Sequence, residues 1–263
     1  DELINMLNQD PDALAAALND IAPGAVGEDA RMAVAETLPE TPAAATAAND
    51  GEFSVKAFLA SQQQSAPLKA RLQPDPSLPA PLQELEVKAF EGLPAAQHDL
   101  AALYVGGHRG LPVDYNRAAQ WFREAAAGGV ANAQYNLGVL YHQGLGVRQD
   151  INQAVSWYRA AAAQNHPEAE YNLAIAYIEG VGAPYNPHQA SRYFEMAARH
   201  GVLEAAYNLG LIHENGLMGR ATPDDALFWY RYASDMGSPE AKAALDQLAR
   251  TAGYDQKKID SLY

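Results

Sequence analysis

A fixed interval constrains this chain more than any other feature. Residues 131–166 read ANAQYNLGVLYHQGLGVRQDINQAVSWYRAAAAQNH, and the key letters of that stretch return 36 residues away on either side. Tyr135, Tyr171 and Tyr207 keep the spacing, as do Asn136, Asn172 and Asn208. So do Trp121, Trp157, Tyr193 and Trp229, and so do Ala125, Ala161, Ala197 and Ala233. A period of roughly 20–50 residues marks a solenoid, in which each unit buries its apolar face against its neighbours.

Punctuation inside the period defines the unit. Leu137, Leu140 and Tyr141 share one helix face at three- and four-residue spacing. Gly107, Gly144, Gly180 and Gly216 stand where that first helix should stop, because glycine accepts the left-handed conformation of a helix C-terminus. Asp114, Asp150, Asn186 and Thr222 are N-caps for a second helix, since a short side-chain oxygen accepts from the free N–H groups of the first turn. Pro187 and Pro223 follow two of them, where proline's missing donor costs nothing. The second helix should end at Gly129, Asn165, Gly201 and Gly237, residue types that tolerate positive φ.

These residues resemble the Sel1-like repeat, a relative of the tetratricopeptide repeat. The first helix carries A-x-x-x-L-G-x-x-Y (Ala133, Leu137, Gly138, Tyr141) and the loop G-x-G-V-x-x-D (Gly144, Gly146, Val147, Asp150). The second helix carries A-x-x-W-Y-x-x-A-A (Ala154, Trp157, Tyr158, Ala161, Ala162). The resemblance covers about residues 79–253 and implies an all-α, right-handed solenoid of helix–loop–helix repeats. Unit one departs by one extra loop residue, unit three has Tyr193 for the tryptophan, and unit four has His213 for the tyrosine and Met218 for the second loop glycine. A different loop path is therefore expected in unit four.

Composition limits the function classes. The chain has no cysteine, hence no disulfide framework, thiolate metal site or cysteine nucleophile. Its net charge of −14 argues against nucleic acid or an anionic membrane as the main partner. No apolar run approaches the roughly 20 residues of a membrane span. The sequence opens on Asp1 without an initiator methionine, which fits a processed product or an excised fragment. A periplasmic or secreted location is expected, with the cytoplasm as alternative.

Residues 1–78 lack the period. The first 92 residues hold 15 acids against 5 bases, the remainder 17 against 13. Short helices are expected at 2–8, 12–21, 28–37 and 53–63, separated by breakers such as Pro39 to Pro42 and the proline-rich 67–81. Segments this short are marginal in isolation. The stretch reads either as a tether with transient helices or as an arm whose apolar spots dock onto the solenoid or a partner. Residues 81–92 match a second helix without its first and read as an N-terminal cap, with Lys88 where the repeats have alanine. Four repeats occupy 93–238. Residues 239–250 read as a C-terminal capping helix started by Ser238, with Lys242 and Asp246 on its solvated face, and 254–263 as a tail.

No phosphate-binding loop, nucleophile elbow or H-E-x-x-H motif is present. The seven histidines (98, 108, 142, 166, 188, 200 and 213) are scattered, and Glu168 and Glu170 favour the dipole of a helix start. No catalytic residues, metal or cofactor are therefore expected. Trp121, Trp157 and Trp229 read as packing residues, so a cell-wall glycan-associated accessory role is the weaker alternative.

What the resemblance implies instead is a binding role. In tetratricopeptide-like arrays the first helices line the concave surface. By position that surface should include Asn132, Tyr135, Asn136, Val139, His142 and Gln143 from unit two. Unit three adds Glu168, Tyr171, Asn172, Ile175 and Glu179, and unit four Glu204, Tyr207, Asn208, Leu211 and Glu214. The asparagine amides could pair with a partner's backbone, since an amide both donates and accepts, or could satisfy groups between neighbouring repeats. The tyrosines would add flat contact area. Unit one breaks this series, with His98 and Asp99 in place of Tyr-Asn. The groove carries acids, while arginines 123, 159, 192 and 231 fall on second helices. A basic or neutral peptide segment, extended or helical, is therefore the expected partner, with the N-terminal arm itself as a candidate occupant. The resemblance implies a non-catalytic interaction scaffold of a bacterial cell envelope, or alternatively a structural subunit of a larger complex that the arm staples to a neighbour.

Overall fold

The computed structural model describes residues 53–63, 68–107, 111–255, 257, 258 and 261, all helix and connection with no strand among them. The expected helices at 2–8, 12–21 and 28–37 lie outside the described residues. The described helices fall into two compact units, one ending at Gln164 and one beginning at Asn165. The first holds α1 (Val55–Gln62), α2 (Leu68–Arg71), α3 (Ala80–Phe90), α4 (Pro94–Gly106), α5 (Tyr115–Ala127), α6 (Ala131–Gln143) and α7 (Ile151–Ala162). The second holds α8 (Pro167–Glu179), α9 (Pro187–Arg199), α10 (Leu203–Glu214), α11 (Pro223–Asp235) and α12 (Pro239–Ala252). In every repeat the first helix packs on its second: α4 on α5, α6 on α7, α8 on α9, α10 on α11.

Each boundary has a local cause. Asp114, Asp150 and Asn186 accept from the backbone N–H three residues on, at 3.0, 3.0 and 3.1 Å. Thr222 makes no such cap; its hydroxyl is 2.7 Å from His213 Nδ1, so the residue that replaces the repeat's tyrosine diverts it. The N–H of each N-cap residue closes the loop by donating to the carbonyl of Tyr104, Tyr141, Tyr177 or His213. Unit one keeps this closure at 2.9 Å despite its extra residue. Gly107, Gly144 and Gly180 end their helices at φ 62°, 73° and 69°. The fourth first helix ends one residue early, capped by Asn215, and positive φ moves from the place of Gly146 and Gly182 to Gly219, because Met218 occupies that place.

The core repeats as well. Phe122, Tyr158, Phe194 and Tyr230 occupy one position of the second helix and are fully buried. A Cβ on Gly138 would lie 2.6 Å from Tyr158 Cε1, and one on Gly210 would collide with Tyr230. Repeats one and three carry Ala101 and Ala174 at that first-helix position, and phenylalanine instead of tyrosine opposite. Gly138 and Gly210 stand opposite tyrosines, Tyr158 and Tyr230, whose rings leave no room for a Cβ. The Tyr158 hydroxyl is buried without a hydrogen bond, whereas that of Tyr230 donates to Glu214 at 2.6 Å.

The proline-rich stretch before the cap helix is docked, although its composition suggests a linker. Leu72 and Leu78 are buried. Arg71 forms a two-pronged ion pair with Glu124 of α5 at 2.7 and 3.1 Å. The Asp75 N–H donates to Glu86 on α3, and the Asp75 carboxylate accepts from Tyr104 on α4 at 2.9 Å. Arg117 on α5 lies 3.6 Å from that carboxylate, which the neighbouring donors hold below the ordinary aspartate value against the opposing pull of burial. Further upstream, the Phe58 ring stands edge-on to Trp157 of α7 with 4.7 Å between centroids, and Arg159 lies over Phe53. These partners outside the cap and α4 all belong to second helices.

Gln97 and Gln134 donate to the carbonyls of Ala89 and Ala126, eight residues earlier. Repeat three places Glu170 at this position, 0% exposed, with one oxygen unpartnered and the other accepting from His200 Nδ1 at 2.8 Å. Burial raises its carboxyl above the ordinary glutamate value, against the opposing bond from His200.

Two predictions follow from this packing. Gly138→Ala should cost about 1–3 kcal/mol by overpacking against the Tyr158 ring; a loss below about 0.5 kcal/mol in urea unfolding would refute the close contact. The folded state holds the Glu170 proton more tightly than the unfolded chain does. Its cost is therefore least below the ordinary glutamate value and grows as pH rises through the raised folded value. Glu170→Gln should stabilise the protein by about 1 kcal/mol at neutral pH, with the gain shrinking on acidification. Thermal unfolding across pH checks this, and a loss at neutral pH would mean that the His200 bond outweighs burial.

Candidate functional site

The first helices each present one ring that lies on the buried ring of its own repeat. His98 lies 5.7 Å from Phe122, Tyr135 6.0 Å from Tyr158, Tyr171 5.6 Å from Phe194 and Tyr207 5.7 Å from Tyr230, centroid to centroid. His98 therefore continues the tyrosine series into repeat one. These rings are half-buried, with one face fixed by the core, and His98 is the most covered of them at 12% exposure of its side chain.

The asparagines sit lower. Asn136, Asn172 and Asn208 are 5%, 5% and 2% exposed. The Asn208 amide donates to the Tyr171 hydroxyl of the preceding repeat at 3.3 Å, and the Asn136 amide nitrogen is 3.5 Å from His98 Nε2. In both places an asparagine meets the polar tip of the ring one repeat earlier. Val139, Ile175 and Leu211 are buried with the core. His142 is half-buried beside Tyr158, and burial lowers its pKa below the ordinary histidine value. Gln143 is half-buried and Asn132 exposed.

Acids complete the surface. Glu168, which burial would raise, is held below the ordinary glutamate value by its bond with His166 at 3.2 Å. Burial raises the Glu179 carboxyl, although its surface is partly open. Glu214 is half-buried and spends one oxygen on Tyr230. His213 is lowered by burial, partly offset by Asp225 at 3.6 Å. Among the described residues no group of three or more His, Asp or Glu side chains is arranged to hold a metal ion, and no helix is long and apolar enough to cross a membrane.

One concavity stands out in the second unit. A cavity of about 410 Å³ is lined by Tyr171, Leu203, Glu204, Tyr207, Asn208, Gly237, Ser238, Pro239 and Glu240. Tyr171, Glu204, Tyr207 and Asn208 are among the residues the sequence nominates. Leu203, Pro239 and Glu240 are not, yet Glu168, Glu204 and Glu240 stand 36 residues apart, a signal present in the sequence. Glu240 belongs to α12, which reads as a cap and thus conceals its place in the series.

Comparison with known proteins fits this geometry. The Sel1 repeat model matches residues 94–130, 131–166, 167–202 and 203–238. The chain is similar to a Sel1 repeat protein from Oxalobacter formigenes, with 32% identity over 69% of this chain and 76% of that one, and a TM-score of 0.63. It is also similar to a protective antigen of uropathogenic Escherichia coli strains that displays an SLR fold, with 26% identity over 69% of this chain and 47% of that one, and a TM-score of 0.55. No curated protein matches. With four consecutive repeats matched over more than half of its 263 residues, the chain belongs to the Sel1 repeat family and has that family's all-α solenoid fold.

Proposed function

We propose that this protein is a scaffold that holds a basic or neutral segment of a protein partner, extended or helical, along the rings of its first helices. Sel1 repeats form an interaction fold, which supports a binding role in general. The observation that carries the finer reading is the series of half-open rings, each pinned from below by a buried ring of its own repeat. A binding surface made of rigid aromatics loses little side-chain entropy on association. The buried asparagines support the rings and leave tyrosine faces and carboxylates as the accessible chemistry, which favours a cationic or neutral segment.

The test is selection of random-sequence peptides on the full chain, followed by mapping of the bound peptide by amide chemical shifts. Shifts should cluster around Tyr135, Tyr171 and Tyr207. Tyr207→Ala should weaken the selected peptide by about tenfold, as loss of an aromatic hot spot does. Shifts confined to the second helices α5, α7, α9 and α11 would overturn the reading.

A further inference from the structure

The tryptophans of the second helices each have an aromatic ring edge-on to them, and repeat two obtains its ring in a way of its own. Trp121 meets Phe90 of the cap helix α3, at 5.0 Å between centroids and 74° between planes. Trp229 meets Phe228 and Tyr232 of its own helix, at 5.1 and 5.8 Å. Repeat two carries Ser156 and Ala160 where repeat four carries those two rings. Its second helix therefore leaves beside Trp157 a place that rings fill in repeat four. Phe58 of α1 fills that place, 4.7 Å from Trp157 and at 72° to it, and both Trp157 and Ala160 are fully buried.

We propose that the Trp157 face is a second interaction surface, covered by α1 and able to take, in exchange for α1, a partner helix with two phenylalanines five residues apart. The pattern is the one α1 displays. Phe58 meets the indole, and Phe53 lies under the Arg159 guanidinium, 5.2 Å from its carbon. The two phenylalanine rings are 5.4 Å apart and so form one wedge. Trp157 and Arg159 thus each read one ring, by edge contact and by cation–π attraction. An aliphatic side chain in either place forfeits that term and keeps only its buried area.

α1 is built to be exchanged. It has 8 residues, a length that is marginal in isolation, and none of its side chains is fully buried. Phe90, by contrast, belongs to a helix that also buries Leu82, Leu85 and Ala89. Downstream of α1 the chain has its own anchors, the Arg71 pair with Glu124 and the buried Leu72. Local opening of α1 therefore leaves that segment in place. A tethered helix competes for its site at an effective concentration on the order of a millimolar, so a partner wins by binding the bare face well below that.

The test uses the full chain, as wild type and as Phe53→Ala with Phe58→Ala, and a peptide of residues 53–63 as the probe. The readout is the shift of the Trp157 indole N–H. The double variant should bind the peptide at least tenfold more tightly than wild type does, because the tethered competitor is gone. Adding Ala160→Tyr, which copies Tyr232, should weaken the peptide about tenfold again by filling the place from within. Random-sequence peptides selected on the double variant should enrich phenylalanines five residues apart. Equal binding by wild type and double variant, no binding by the double variant, or selected peptides without that pattern would each overturn the proposal. A wild-type dimer that the double variant cannot form would overturn it too, by making the α1 of a second copy the occupant. None of these outcomes touches the groove reading, whose rings stand on first helices.

Discussion

The contact on which both layers depend is the one made by a single aromatic of each second helix. Phe122, Tyr158, Phe194 and Tyr230 are fully buried and each carries a first-helix ring, and Tyr158 and Tyr230 also press on a first-helix glycine, Gly138 and Gly210. Burial of such a ring contributes roughly 1.5–3 kcal/mol, and the offset or tilted contact with a second ring adds about 0.5–1.5 kcal/mol. The small residue matters as much as the large one. It sets how closely the two helices approach, and so how high the ring stands towards the groove.

The same stack determines what the groove can offer. A tyrosine whose underside rests on a buried ring has few rotamers left. In repeat three the tip of that tyrosine is further held by Asn208 of the next repeat. At Asn208 the amide thus serves cohesion between neighbouring repeats, satisfying an aromatic hydroxyl that would otherwise be half desolvated. The first helices are left with ring edges and faces flanked by carboxylates. On the proposed reading such a surface would discriminate by charge and by flat contact without rearranging, because its rings are fixed by the fold.

The helices and their ends were legible because each is written as a letter at a fixed interval. N-caps, stop glycines and the buried rings depend on local backbone chemistry that one residue can specify. The shift of positive φ to Gly219 was foreshadowed by Met218, since a side chain there cannot repeat what Gly146 and Gly182 do. What escaped the sequence depends on direction and partnership. The period shows that Asn136, Asn172 and Asn208 recur, but whether an amide points into a groove or under a neighbour's ring is decided by helix rotation of a few tens of degrees. Residues 68–78 look like a linker by their prolines, yet Leu72, Leu78, Arg71 and Asp75 each have a partner far along the chain, and composition carries no record of such pairs. Glu240 was hidden by its helix: a cap reads as the end of the series, although its first turn still supplies the next carboxylate.

The position of the N-terminal segment gives the two faces different duties. In the first unit Arg71 of that segment pairs with Glu124 of α5 and Phe58 meets Trp157 of α7, both second helices, while Asp75 accepts from Tyr104 of the first helix α4. The Tyr135 ring on α6 stays partly open. In a two-layer repeat a ligand on one layer does not compete for area with a segment on the other. Among the described residues the chain thus covers its Trp157 face from its own sequence. Coupling between the two layers would have to pass through the sealed aromatics between them, and close-packed rings transmit a displacement only when their small-residue partner permits one.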